Sequence, residues 1–245
     1  MFGILKSLFI LLAYIFTGGI FLLFAVPVSL LFLPFGKHKK VFSAQLSKYM
    51  KWAVSDALKF FGVLEITQIT GLENIRKNAI LISNHQSFFD GFIVMGHIPS
   101  IPLIKSSYKF NPLFTWVALL FDFVSLKPTT KGVAEADKKI RKLIERGETI
   151  CVFPEGTRSL DGKIKKFQSL AFKIAKDTDT AILPLVIHYS KPIMSKSGES
   201  FKFSEKVDVK ISILPAICPK DFETTGRLLT KSQETVEKSY QQLRQ

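Results

Sequence analysis

"AILISNHQSFFDG", residues 79–91, is the stretch from which the rest of the chain is read. Its first five residues, Ala79–Ser83, form a continuous run of apolar and small residues. A strand buried on both faces of a sheet has that pattern. The run stops at the polar Asn84-His85, and Asp90 follows behind Phe88 and Phe89. Ser87-Phe88-Phe89-Asp90 has the S-x-x-D form of a capping box. That form predicts a helix with Ser87 as N-cap and Asp90 in its first turn. His85 then sits in the turn before the helix, within reach of the Asp90 carboxylate. A carboxylate on one ring nitrogen fixes the tautomer and leaves the other nitrogen as a base. Capping explains the Ser87 hydroxyl, so no nucleophile is supplied nearby. A lone His-Asp pair suits direct deprotonation of a substrate hydroxyl. Taken alone, a capping aspartate and a turn histidine explain these residues equally well.

Working outward, Val41–Phe61 has helical spacing of apolar residues, and "VLEITQIT" (Val63–Thr70) reads as a strand closed by Gly71. Further strands are expected at Ile101–Lys105, Phe121–Leu126, Thr149–Phe153, Ala181–Tyr189 and Lys206–Leu214. The last of these alternates as a half-exposed strand does. Helices are expected around Pro112, over Glu135–Arg146 and Lys165–Lys176, and from about Thr225 to the C-terminus. Strands alternating with helices give an α/β fold: a central mixed sheet flanked by helices. No internal repeat or low-complexity linker divides residues 41–245, which read as one domain of catalytic size.

The stretch "FPEGTRS" (Phe153–Ser159) also follows a buried strand. It places Glu155, Gly156, Thr157 and Arg158 at a strand's C-terminal end, where open α/β folds hold ligands. Arg158 offers a planar fork for phosphate. Gly156 lets backbone approach a ligand closely, and Glu155 is positioned to steady the guanidinium. The spacing to Gly162-Lys163 is one residue too long for a nucleotide-binding P-loop, and Ile164 stands where Ser or Thr is needed. No G-x-S-x-G elbow is present.

From Phe2 to Phe35 the only charged residue is Lys6. Ser7–Pro34 exceeds the roughly 20 apolar residues that span a bilayer as a helix. Thr17–Ile20 ("TGGI") and Pro27 interrupt it, which permits either one long tilted helix or two helices hinged near Gly18-Gly19. The run is far longer than the apolar core of a signal peptide. "GKHKK" (Gly36–Lys40) follows, and such basic flanks favour the cytoplasmic side and anionic headgroups. Residues 1–40 are therefore read as a membrane anchor with a basic flank, and the body as facing the cytoplasm, at the inner membrane in a bacterium. The net charge of +14, from 34 Lys+Arg against 20 Asp+Glu, suggests an anionic partner. Interleaved basic and aromatic recognition segments are missing, so nucleic acid is not that partner. Two cysteines, Cys151 and Cys218, support neither a disulfide framework nor a thiolate metal site.

The two motifs together resemble the glycerolipid acyltransferases, most closely the 1-acylglycerol-3-phosphate acyltransferases. "NHQSFFD" fits that family's His-x4-Asp motif and "FPEGTRS" its phosphate-binding motif. The resemblance runs from the apolar N-terminus to about Val186. It implies that His85 is a general base oriented by Asp90. It implies that Glu155, Gly156, Thr157 and Arg158 bind the glycerol phosphate of lysophosphatidic acid, with Lys105 and Lys127 from the family's second block. "ILPLVI" (Ile182–Ile187) matches a fourth block, which places Pro184 near the acyl pocket. Three departures stand out: Ser107-Tyr108 replaces a usual Glu-Leu pair, Lys127 a usual arginine, and Leu170 a frequent glycine. A lysine keeps the charge and loses the bidentate fork.

The implied reaction moves a fatty acyl group from a thioester, acyl-CoA or acyl carrier protein, to the acceptor's free hydroxyl and makes phosphatidic acid. No cofactor or metal is needed for it. Backbone N–H groups near Ser87 are the expected oxyanion donors. An acceptor that is another lysolipid or a lyso amino-acid lipid is the nearest alternative. A non-catalytic module holding anionic membrane lipids is the alternative outside enzymes. His38, His97 and His188 read as structural.

Overall fold

The computed structural model describes residues 2–107, 122–159, 162–193 and 206–245. Its strands are β1 (Leu64–Thr70), β2 (Ile80–Ser83), β3 (Ile101–Lys105), β4 (Val124–Leu126), β5 (Ile150–Val152), β6 (Ile182–Tyr189) and β7 (Val207–Ile213). They form one sheet in the order β1-β7-β6-β2-β5-β3-β4. The β6–β7 pair is antiparallel and the other pairs are parallel, so the sheet is mixed, as expected. From β6 to β4 every strand runs in one direction, and five C-terminal ends share one edge. The helix around Pro112, Phe121 and Tyr108 lie outside the described residues.

The helices are α1 (Phe2–Leu30), α2 (His38–Trp52), α3 (Asp90–His97), α4 (Thr130–Glu145), α5 (Leu170–Thr178) and α6 (Thr225–Arg244). They cover both faces of the sheet, as the alternation along β2 requires. Leu81 packs with Ile10, Val54, Leu58, Ile93 and Val94 from α1, the α2 segment and α3. Ile80 and Ile82 face the other layer, with Ile140 of α4, Phe172 of α5 and Leu228 and Val236 of α6. Burying such aliphatic side chains contributes roughly 1.5–3 kcal/mol each.

Several elements differ from expectation for identifiable reasons. Helix α1 runs unbroken through Gly18-Gly19 and Pro27, so the hinged alternative is replaced by a single helix. One side of it is held: Ile10 is buried in the core, Phe21 stacks on Tyr49 at 4.5 Å, and the Thr17 and Tyr49 hydroxyls lie 3.2 Å apart. Leu12, Ile15, Phe16, Leu23 and Phe24 are exposed. Leu8–Leu30 is long and apolar enough to cross a membrane. In the basic flank, Lys39 pairs with Asp122 at 3.0 Å and Lys40 with Glu148 at 2.8 Å, tying the start of α2 to the body. The α2 helix widens into a π-turn at Ala53–Ala57 before a last turn, Leu58–Phe60.

Helix α4 starts five residues before the expected Glu135, because the Thr129 hydroxyl accepts the Gly132 N–H at 3.1 Å and caps it. Helix α5 starts at Leu170 and not at Lys165. The intervening N–H groups are taken by tertiary acceptors: Lys165 by Glu155, Phe167 by Gln233 and Gln168 by the Pro154 carbonyl. At the end of β1, Gly71 has φ +75°, and a Cβ there would sit 1.8 Å from the Ile213 carbonyl oxygen. Only glycine fits.

Candidate active site

Strand β2 lies between β6 and β5, all parallel, so three chain segments leave the sheet side by side. His85 follows β2, the turn 153–159 follows β5, and Tyr189 ends β6. The turn after β2 is set by Asn84, which is fully buried. Its amide Nδ2 donates to the Ile187 carbonyl at 2.8 Å and its Oδ1 accepts the Ile187 N–H at 2.9 Å. The side chain thus continues the β2–β6 ladder while the backbone turns away. Sequence reading took Asn84 only as the polar end of a strand; its place directly before the histidine is the signal that could have found it.

His85 and Asp90 do meet. The His85 Nδ1 lies 2.8 Å from Asp90 Oδ2. The same oxygen accepts the N–H groups of Gln86 at 2.6 Å and Ser87 at 2.8 Å. The Tyr189 hydroxyl donates to Asp90 Oδ1 at 2.6 Å. Asp90 has 0% exposure, and every partner can donate, so both oxygens act as acceptors. The imidazole stacks on Phe153, with centroids 4.3 Å apart and planes at 23°. Its side chain keeps 22% exposure. Since Nδ1 faces the carboxylate, Nε2 is the nitrogen left for a substrate.

The expected capping box forms only in part. The Ser87 N–H does bond Asp90, but the Ser87 hydroxyl donates to the Ile193 carbonyl at 2.7 Å and accepts the Phe89 N–H at 3.2 Å. Helix α3 begins at Asp90 as a result. Of the backbone N–H groups around Ser87, four have acceptors within this turn. The N–H groups of Gln86 and Ser87 are on Asp90, that of Phe89 on the Ser87 hydroxyl, and that of Asp90 on the Ser87 carbonyl.

The second motif is stitched to the first. Glu155 Oε1 accepts the His85 N–H at 2.7 Å and Oε2 accepts the Lys165 N–H at 2.8 Å. The Ser159 N–H donates to the His85 carbonyl at 2.8 Å. Glu155 has 5% exposure, and burial raises its pKa against the lowering effect of those two N–H groups. The carboxylate, read from sequence as steadying Arg158 and touching substrate, is turned inward onto backbone. Gly156 is exposed at φ +67°, the left-handed turn that carries the chain past the site. Thr157 and Arg158 are half-buried beside it.

Lys105 ends β3, opposite Leu126 of β4, and Lys127 follows Leu126. Both lysines are exposed at the same sheet edge as His85, on strands two and three places from β2. Pro184 is not brought to the pair: it is buried in β6, level with Ile82 and below the C-terminal edge. On its β7 side the Pro184 carbonyl accepts the Leu214 N–H at 2.9 Å, one residue past the end of that strand. Gln86 joins the C-terminal helix to the site, donating to the Tyr240 hydroxyl at 2.5 Å and the Gly162 carbonyl at 3.1 Å. His97 bonds the Ile93 carbonyl at 2.8 Å, and His188 lies 5.5 Å from the Tyr240 ring; burial lowers the pKa of both. Among the described residues no group of three or more His, Cys, Asp or Glu is placed to hold a metal ion.

A sequence model of the Acyltransferase family matches residues 66–188. The chain is 30% identical over 178 residues to the chloroplastic 1-acyl-sn-glycerol-3-phosphate acyltransferase LPAT1 of Arabidopsis thaliana, covering 71% of this chain and 48% of that one. It is 30% identical over 154 residues to the 1-acyl-sn-glycerol-3-phosphate acyltransferase of Borreliella burgdorferi, covering 61% and 60%. The chain spans about half the length of the curated plant relatives it matches. The crystal structure of PlsC, the 1-acyl-sn-glycerophosphate (LPA) acyltransferase of Thermotoga maritima, superposes with a TM-score of 0.77 at 28% identity, covering 98% of this chain and 93% of that one. The family match takes in both motifs and the strands that present them, and on that ground the chain belongs to the Acyltransferase family.

Proposed function

We propose that this chain transfers a fatty acyl group from an acyl thioester to the free hydroxyl of 1-acylglycerol-3-phosphate, giving phosphatidic acid. The observation that carries the reading is the His85 Nδ1–Asp90 Oδ2 contact of 2.8 Å, fastened through Glu155 to the turn bearing Arg158. His85 Nε2 takes the proton from the acceptor hydroxyl while that oxygen attacks the thioester carbonyl. The carbon–oxygen bond forms, the tetrahedral centre collapses, and the carbon–sulfur bond breaks. The imidazolium returns its proton to the departing thiolate. Asp90 holds the ring and stabilises the imidazolium between the two transfers. Arg158, with Gly156 and Thr157, receives the acceptor's phosphate, and Lys105 and Lys127 add charge along the same edge. Glu155 serves the site by holding the His85 backbone.

The donor is acyl-CoA or acyl-acyl carrier protein, both anionic partners for a chain of net charge +14. We place the protein at a membrane, with the exposed apolar residues of α1 in lipid and the body on the cytoplasmic side. Lipid substrates with water-facing headgroups suit that position. The test is a panel of purified protein in detergent: acyl-CoA and acyl carrier protein donors against lysophosphatidic acid and other lysolipids. Phosphatidic acid as the fastest product supports the reading. Faster acylation of another lysolipid would reassign the acceptor, and no transfer with any pair would remove the enzyme reading.

A further inference from the structure

Asp90 is the most enclosed ionisable group at the site, and three of its four donors crowd one oxygen, Oδ2. The other oxygen, Oδ1, is held by the Tyr189 hydroxyl at 2.6 Å. We infer that Tyr189 is a positioning residue of the His85-Asp90 pair, fixing the carboxylate plane and setting how strongly it draws on the imidazole Nδ1–H. The inference rests on the acyl-transfer reading above and deepens it.

Three observations place this residue to act on the carboxylate. Tyr189 is the last residue of β6, the neighbour of β2, and its backbone is pinned opposite Val209 of β7. Its side chain is buried, so the hydroxyl has little freedom to seek water. Burial, then the Asp90 charge, raises the phenol well above its usual 10, so it stays a protonated donor across the working range. A charge-assisted O–H···O bond of this length is among the stronger kinds.

The consequence for the base follows from charge. A phenol on Oδ1 draws negative charge away from Oδ2 and lessens the stabilisation of a protonated His85. Removing the hydroxyl returns that charge to Oδ2, frees the carboxylate to rotate, and favours the imidazolium. Among the described residues, the other titratable groups that feel the Asp90 charge beside the pair are the Glu155 carboxyl, next to the His85 backbone, and the Cys151 thiol of β5, which burial pushes up to about 12. Both remain in the variant, so neither confounds the comparison.

The experiment uses the full-length protein in detergent with Tyr189→Phe, reading kcat, acceptor KM and the pH profile of kcat/KM. The expected result is a fold kept intact, kcat lowered roughly 3- to 30-fold, acceptor KM unchanged, and the acid limb moved to higher pH. Wild-type kcat with an unmoved acid limb overturns the inference. So does a lower kcat with an unmoved limb, because packing alone would do that. If Tyr189→Phe fails to fold, 3-fluorotyrosine at position 189 replaces it. That more acidic phenol should move the acid limb to lower pH, and an unmoved limb again overturns the inference. His85→Ala in the same assay separates the two levels. If it retains turnover, the acyl-transfer mechanism is wrong; if it is dead while Tyr189→Phe matches wild type, only the role of Tyr189 is wrong.

Discussion

Replacing Glu155 by Gln keeps the side chain's size and removes one acceptor. The carboxylate accepts backbone N–H groups from His85 at 2.7 Å and Lys165 at 2.8 Å. An amide can accept one of these and must present its own N–H2 to the other. One buried N–H loses its acceptor, at about 1–3 kcal/mol. Relief from burying a charge offsets part of that, since burial raises the Glu155 pKa from its ordinary 4.5. A net loss of about 2 kcal/mol in a chain of this size lowers Tm by about 4–8 °C. The sign of the pH dependence is fixed. A carboxyl whose folded-state pKa is raised contributes stability fully below its unfolded value, and that contribution is lost as pH rises through the folded value. The variant does not titrate there, so its deficit relative to wild type should shrink as pH rises from the ordinary carboxyl value through the raised folded-state value. Catalytically, the His85 backbone loses an anchor, and a displacement near 1 Å at the base costs about 10²-fold in kcat. Calorimetry and steady-state acyl transfer measure both. Unchanged Tm and kcat with a raised acceptor KM would refute the reasoning and return Glu155 to direct contact with substrate.

Arg158→Ala should raise the acceptor KM about 10- to 100-fold with little change in kcat, the loss of a charge-assisted phosphate contact; initial rates over acceptor concentration check it. Asn84→Ala removes both bonds that continue the β2–β6 ladder at Ile187 and should destabilise by about 3 kcal/mol, seen as a Tm lowered by about 6–12 °C. Gly71→Ala puts a Cβ 1.8 Å from the Ile213 carbonyl oxygen and should weaken the β1–β7 edge by roughly 1–3 kcal/mol, measurable by denaturant titration.

The parts legible in sequence were those written in local pattern. The apolar run before Asn84, the alternation of β7 and the five-residue spacing of His85 and Asp90 each survive into the structure. What was not legible depends on partners distant in the chain. Ser87 looks like an N-cap because nothing nearby reveals that its hydroxyl is claimed by Ile193, so the helix starts two residues later, with Phe89 as N-cap. Lys165–Ser169 has helical composition, but Glu155, Gln233 and Pro154 take its N–H groups. Glu155 beside Arg158 suggested a pair, while the fold turns the carboxylate onto backbone from two other segments. In α1, Gly18-Gly19 suggested a break; the packing of Ile10, Phe21 and Ala25 against the body carries the helix straight through.

The most direct measurement is the turnover of His85→Ala, purified in the same detergent and shown by circular dichroism to keep the wild-type fold. An acyl thioester and lysophosphatidic acid are supplied at saturating concentrations. If the imidazole is the base held by Asp90, kcat falls by about 10²-fold or more, while the phosphate-bearing acceptor still binds. Turnover within a few-fold of wild type would contradict that role and leave the 2.8 Å contact as a structural bond only.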